Sequence, residues 1–199
     1  IAPDEYGYTV IAPGFGFLRD VFTEPYIVNW RLTRQGAVSD GMPGVTVPYE
    51  AFPGSIGVMP GNAEIDKILK REANLAGAGG VVLGPSGPGA LPADLCGEGG
   101  KFEQRCLRTI PPRENGGNMD VQQQQVGTRM LFPCFIDGCG LFVGDVHYAQ
   151  GDGEVSGTAI EMGSVTTLRV VAIHEGKGKS MVMPATKGND QIIDMEPTR

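Results

Sequence analysis

Glycine and proline constrain this chain more than any other feature. Gly 31 and Pro 15 together approach a quarter of 199 residues. They follow no fixed period, which excludes a collagen-like repeat. Glycine frees the backbone and proline removes an N–H, so long helices are interrupted and short strands joined by turns are favoured. Hydrophobic residues make up 41% and charged residues 20%. That mixture can bury a core, so a globular and mostly β chain is expected.

The strands announce themselves as short apolar runs between these punctuators. Tyr6–Ile11, Ile27–Leu32, Ser55–Met59, Thr128–Ile136, Leu141–Val143 and Ser164–Ile173 read as strands, with Ser180–Met183 after the turn 176–179. One segment differs. From Asn62, Ile65, Ile68, Leu69 and Leu75 recur at helical spacing, with Asn62 as N-cap and Glu64 at the positive end. Gly77 and Gly79 should end this helix, and Lys67, Lys70 and Arg71 should form a solvated face. Residues 77–100 are Gly- and Pro-rich and read as a long loop or insertion.

The net charge of −7, with scattered acids, disfavours nucleic acid and anionic membranes as partners. No apolar run approaches the ~20 residues of a membrane span. Cys96, Cys106, Cys134 and Cys139 form no C-x-x-C pair. Two disulfides are open to them, but a chain of this size is expected to keep reduced thiols in a cytoplasmic setting. Ile1 opens directly in strand-like sequence and Arg199 closes without a tail, so both ends read as truncated.

Several familiar motifs fail. Gly14-x-Gly16 meets Arg19 where a dinucleotide loop needs glycine, and Pro85 stands where a phosphate loop needs lysine. An EF-hand frame from Asp145 fails at Gln150 and Ser156.

Two polar clusters remain. The first is Gly144–Glu154, GDVHYAQGDGE, directly after the apolar run Leu141–Val143. Asp145 and His147 are two apart, so a strand would put both on one face, where they can bind one divalent ion. Glu154 would start the next strand and serve as general base. A polar hairpin turn with a satisfied histidine is the alternative. His174, the other histidine, reads as a solvated turn residue, and a three-His site is impossible within these residues. The second cluster is Ile110–Asp120, IPPRENGGNMD, which otherwise reads as a turn capped by Asn118 and Asp120.

Together these clusters resemble the acetamidase/formamidase family. Thr109–Asp120, TIPPRENGGNMD, is similar to its PPRE-x-GGN-x-D motif, and Gly144–Glu161 to its GD-x-H-x-x-QGDGE signature and following strand. Phe52–Pro60, FPGSIGVMP, is similar to its PG-x-IG-x-x-P stretch. The resemblance implies a jelly-roll-like β-sandwich with a few short helices, homo-oligomers, and hydrolysis of formamide, acetamide or related amides. It also implies a divalent metal, zinc or calcium. It further implies longer chains that begin with a histidine-containing segment and continue past Arg199, so residues 1–199 would be a partial catalytic domain.

On this basis Asp145, His147 and Asp120 are the candidate metal ligands, with Asp120 alternatively orienting His147. Glu154, Glu114 and Asp152 are the candidate catalytic carboxylates, Glu154 or Glu114 moving the proton. Asn118 and Gln150 are expected to hold the amide. A rival mechanism uses Cys139 or Cys134 as nucleophile. A non-catalytic sandwich that binds calcium and a sugar through Asp145, Asp152 and Glu154 is a third reading.

Overall fold

Val28, Trp30 and Leu32 alternate with exposed neighbours along strand β2 (Tyr26–Leu32), the two-residue period of a strand with one buried face. They pack with Ala37, Tyr148, Ala149 and Ile160 into the main apolar cluster, flanked by Val47, Tyr49 and Met162. The indole N–H of Trp30 donates to Thr9 Oγ1 at 3.1 Å, and the Tyr148 hydroxyl donates to the Thr33 carbonyl at 2.6 Å. Both buried polar tips are thereby satisfied.

This computed structural model describes residues 1–80, 92–171, 185–187 and 192–194. Preceding and following β2 are β1 (Ala2–Ile11), β3 (Ala37–Val38), β4 (Thr46–Val47) and β5 (Phe52–Gly57). Then come helices α1 (Asn62–Gly77) and α2 (Ala93–Cys96) and a 3₁₀ turn at Glu103–Arg105. The remaining strands are β6 (Gly116–Asn118), β7 (Arg129–Leu131), β8 (Phe142–His147), β9 (Glu161–Val165), β10 (Ala185–Lys187) and β11 (Ile192–Asp194).

Eight strands form one sheet in the order β4-β3-β2-β1-β9-β8-β5-β6, and β11-β10-β7 form a second. Each pairing is antiparallel. The expected mostly β chain with few helices is what forms. No helix among the described residues is long and apolar enough to cross a membrane.

Several local expectations change. Strand β5 begins at Phe52 and runs through Pro53-Gly54, which read as a turn. Pairing with β6 starts only at Ser55, so Pro53, lacking an N–H, interrupts no ladder on that side. Helix α1 is capped by Gly61 with no side-chain hydrogen bond, so Asn62 lies one residue inside the cap it was expected to occupy. Its basic face is not purely solvated: Arg71 binds Glu114. The run 128–136 shortens to β7, because Pro133 and the Cys134 link draw it out of the sheet. Of the run 164–173, whose described part ends at 171, Ser164 and Val165 lie in β9 and 166–171 do not. In the glycine-rich stretch 77–100, residues 81–91 lie outside the described residues, and Ala93–Cys96 forms α2. His174 and Ser180–Met183 also lie outside them.

The cysteines depart most clearly from expectation. Cys96 bonds Cys106, and Cys134 bonds Cys139, each pair closing a short loop. No thiol remains free. The reduced-thiol ground for a cytoplasmic setting therefore falls away. So does the cysteine-nucleophile mechanism, since neither Cys134 nor Cys139 can supply a thiolate.

Candidate active site

Strand β8 lies between β9 and β5, and its last residue, His147, faces Phe52 on one side and Glu161 on the other. Its ring is buried, edge-on to Phe52 with centroids 5.2 Å apart. A buried imidazole must have partners for both nitrogens. Nδ1 has one: the Gln150 side-chain oxygen, 2.8 Å away. Gln150 cannot present its NH₂ there, because that group donates to the Asp120 carbonyl at 2.8 Å. Its amide oxygen therefore faces the ring, and Nδ1 carries the proton. Nε2 is left to face the acids.

Among the described residues, four carboxylates gather at Nε2. Asp145 lies at 3.4 Å, Glu161 at 3.5 Å, Glu154 at 3.9 Å and Asp120 at 4.0 Å. None is aligned for a hydrogen bond: Nε2 and Asp120 Oδ1 are both buried and unpartnered. Two triads of possible ligand atoms result, Asp120–His147–Glu154 and Asp145–His147–Glu161, each within 4.8 Å and sharing the imidazole.

Backbone geometry aims these acids. Gly54 O accepts from the N–H groups of Met119 at 3.0 Å and Asp120 at 3.1 Å, which ties the end of the IPPRENGGNMD segment to β5. Asp120, Asp145 and Glu154 all have positive φ, at 51°, 54° and 41°. Such angles are uncommon outside glycine and are held here by the surrounding fold. Asp145 and His147 do converge as the strand pattern implies, but through a left-handed residue rather than regular pleating. Glu154 does not start a strand: it sits in the β8–β9 turn, closed by Glu154 N–H to Gly151 O at 3.2 Å.

The electrostatics follow. Burial, then the Asp145 charge, pushes Asp120 up to about 6, although His147 opposes the rise. Burial and the neighbouring acids push Glu154 up to about 7. Glu161 is raised as well, chiefly by burial. Asp145 is instead held below the usual carboxylate range by His147. Burial would lower His147, but Asp145, Glu161 and Glu154 outweigh it and bring it to about 9.

Other candidates are placed elsewhere or otherwise engaged. Glu114 is not brought to this cluster. Both its oxygens bind the Arg71 guanidinium, one at 2.9 Å, and this pairing lowers its pKa, the wrong direction for a base. Asn118 accepts from Ser55 Oγ at 2.9 Å and donates to the Ile110 carbonyl at 3.0 Å, so it braces two strands instead of offering a free amide. Gln150 orients His147, as above. Asp152 accepts a hydrogen bond from Gln122 and lines the same cleft as Glu154. Sequence reasoning missed Glu161, and Ser55, whose hydroxyl lies 3.2 Å from Asp145 Oδ2. The turn loop separating Glu161 from His147 hides their pairing from any local pattern.

Two open clefts flank the imidazole. One of about 300 Å³ is lined by Gln150, Asp152 and Glu154 facing Phe15, Leu18 and Phe22. The other, about 340 Å³, exposes Asp145 and Glu161 beside Tyr6 and Tyr8.

The donor set fits a divalent cation. Two buried atoms, His147 Nε2 and Asp120 Oδ1, make no aligned hydrogen bond, and a cation could take either as a ligand. An imidazole beside carboxylates is a familiar ligand combination for zinc, whereas calcium takes oxygen ligands only.

Comparison with known proteins identifies the family. A family model described as "Acetamidase/Formamidase family" matches residues 1–193. The chain is 35% identical over 186 residues to an acetamidase of Mycolicibacterium smegmatis, covering 86% of this chain and 45% of that protein. It is 33% identical over 173 residues to a formamidase of Methylophilus methylotrophus, covering 83% and 42% respectively. The γ-lactamase from Delftia acidovorans superposes with a TM-score of 0.70 at 34% identity, over 79% of this chain and 41% of that one. The chain thus spans under half the length of these relatives. A family model that matches nearly the whole sequence, with a relative 35% identical over 86% of it, makes this chain a member of the acetamidase/formamidase family.

Proposed function

We propose that this chain carries the reactive centre of an enzyme that hydrolyses short aliphatic amides to carboxylate and ammonia. The carrying observation is the convergence of four carboxylates on the Nε2 of a histidine whose Nδ1 proton is held by Gln150. The relatives named acetamidase and formamidase support the substrate class.

His147, Asp145 and Glu161 would hold a divalent metal, while Asp120 belongs with Glu154 to the second triad that shares the imidazole. The imidazole favours zinc over calcium for this role, and it weighs equally against the calcium- and sugar-binding reading. When bound, such an ion lowers the pKa of water to about 7 and polarises a carbonyl.

Glu154 is the carboxylate that both approaches the imidazole and lines the more apolar cleft. It would accept a proton from the attacking water and return it to the departing nitrogen, so that C–O forms, C–N breaks and ammonia leaves neutral. Asp152 lines the same cleft and would bind the amide NH₂. Gln150 would keep Nδ1 protonated, leaving Nε2 free to serve as a ligand.

The implied homo-oligomer draws support from exposed apolar side chains, Phe17 at 78% and Val170 at 72% exposure among them. Sedimentation of the full-length protein tests it.

The functional test replaces His147 by Ala and Glu154 by Gln in the full-length protein. The expected results are loss of bound metal and turnover in the first, and loss of turnover with metal retained in the second. Wild-type ammonia release in both variants would end the proposal.

A further inference from the structure

The segment after β1 turns back onto the loop that carries Glu154. Phe17 N–H donates to the Val155 carbonyl at 2.9 Å, and the Val10 N–H and carbonyl both bind Thr158 Oγ1 at 3.0 Å. Gly157, with φ of +79°, seats the Phe15 ring where any Cβ would overlap it. A Cβ at Gly16 would lie 2.8 Å from the Ser156 backbone. These close approaches fix an apolar wall opposite the proposed proton carrier.

Phe15, Leu18 and Phe22 make that wall, while Gln150, Asp152 and Glu154 make the opposing side. The volume of about 300 Å³ is far more than a two-carbon amide needs. The second cleft, beside Asp145 and Glu161, carries the hydroxyl-bearing Tyr6 and Tyr8 and offers a more polar surface. An apolar chain is therefore better accommodated on the Phe15 side.

We propose that Phe15, Leu18 and Phe22 form an acyl-chain subsite that selects amides with an apolar chain of three or more carbons over formamide and acetamide. This rests on the amide-hydrolase reading above and adds to it the class of acyl group and the residues that choose it. Each methylene placed in an apolar pocket changes specificity by about 10–200-fold. This wall is half-exposed, so the low end applies.

The experiment uses the full-length protein with its divalent metal and measures ammonia release from formamide through valeramide. The wild type is expected to favour butyramide over acetamide by about 100-fold in kcat/KM, two methylenes at about tenfold each. Leu18→Ala and Phe22→Ala should each cut that ratio severalfold, mainly by raising KM for the longer amides. Leu18→Trp, which fills the cleft, should move the optimum back toward formamide. Thermal melts confirm that each variant folds. Activity without chain-length preference, or variants whose rates fall in parallel for all amides, would overturn the subsite alone. No ammonia from any amide would overturn both readings.

Discussion

His147 and Glu161 face each other across the β8–β9 pairing, which brings Glu161 Oε2 to 3.5 Å from Nε2. Neither the helix nor the loops make this contact. It is a cross-strand pair, the closest relation two residues far apart in sequence can have in a sheet. Glu161 also accepts from the Ala159 N–H at 3.0 Å, so its carboxylate is held in place. Glu161→Gln keeps that hydrogen bond and removes the charge. The expected outcome is a fall in metal affinity of at least ~10–100-fold with the fold intact. Metal content after dialysis, alongside circular dichroism, checks it.

Gly54 lies beneath the imidazole. A Cβ there would sit 2.7 Å from His147 Cε1 and Nε2 and 2.8 Å from Asp120 Oδ1. Gly54→Ala should therefore displace both groups at a stability cost of ~1–3 kcal/mol, the usual range for overpacking. Turnover should fall far more than the melting temperature does. A variant with full activity would show that this contact relaxes freely.

Gln150 tests the proton placement. Gln150→Leu keeps much of the volume but removes both the acceptor for Nδ1 and the donor to the Asp120 carbonyl. Metal affinity should drop ~10–100-fold, as for other residues that orient a ligand. Gln150→Glu restores the acceptor alone and should recover part of the loss. Equal behaviour of the two variants would count against the orienting role.

The pH dependence of stability has a defined sign. Asp120 rises from 3.8 to about 6, Glu154 from 4.5 to about 7 and His147 from 6.5 to about 9. In each case the folded protein binds its proton more tightly than the unfolded chain does. The stabilisation is complete below the unfolded value and is lost as pH rises through the folded one. Asp145, lowered, acts in the opposite sense at the acid end. Metal-free protein should thus lose stability from about pH 4 to pH 9. A divalent cation should reverse the trend, because it offsets the carboxylates and displaces the Nε2 proton. Denaturant midpoints across that range, with and without zinc, measure it.

Glu114 and Glu154 should separate cleanly. Glu114 pairs with Arg71 at a partly exposed site, so Glu114→Gln should cost ~0–1 kcal/mol of stability and leave turnover near wild type. Glu154→Gln should do the reverse. A large activity loss in Glu114→Gln would return that residue to the reaction.

The helix α1 was legible because Ile65, Ile68 and Leu69 recur at its own period; Asp145 and His147 have a strand's spacing, but the left-handed backbone of Asp145 is what brings them together. Pro53-Gly54 misled, since Pro53 lies opposite Val146 in the β8 ladder but precedes the β6 ladder, a fact of pairing and not of composition. The roles of Asn118 and Gln150 misled for a related reason. An amide side chain reads as free until its neighbours, Ser55 with Ile110 and His147 with Asp120, are known.

The order of residues alone determined a glycine- and proline-broken β chain, its principal helix, and a dense polar segment whose composition suits a metal. Its motifs also carried the family. Only the tertiary structure decided which acids meet. Sheet pairing brings residues together by register across strands, so Glu161 and Asp120 arrive at His147 while Glu114 goes to Arg71. The physical reason is that hydrogen-bonded ladders and buried charge act through space, and distance along the chain does not encode them.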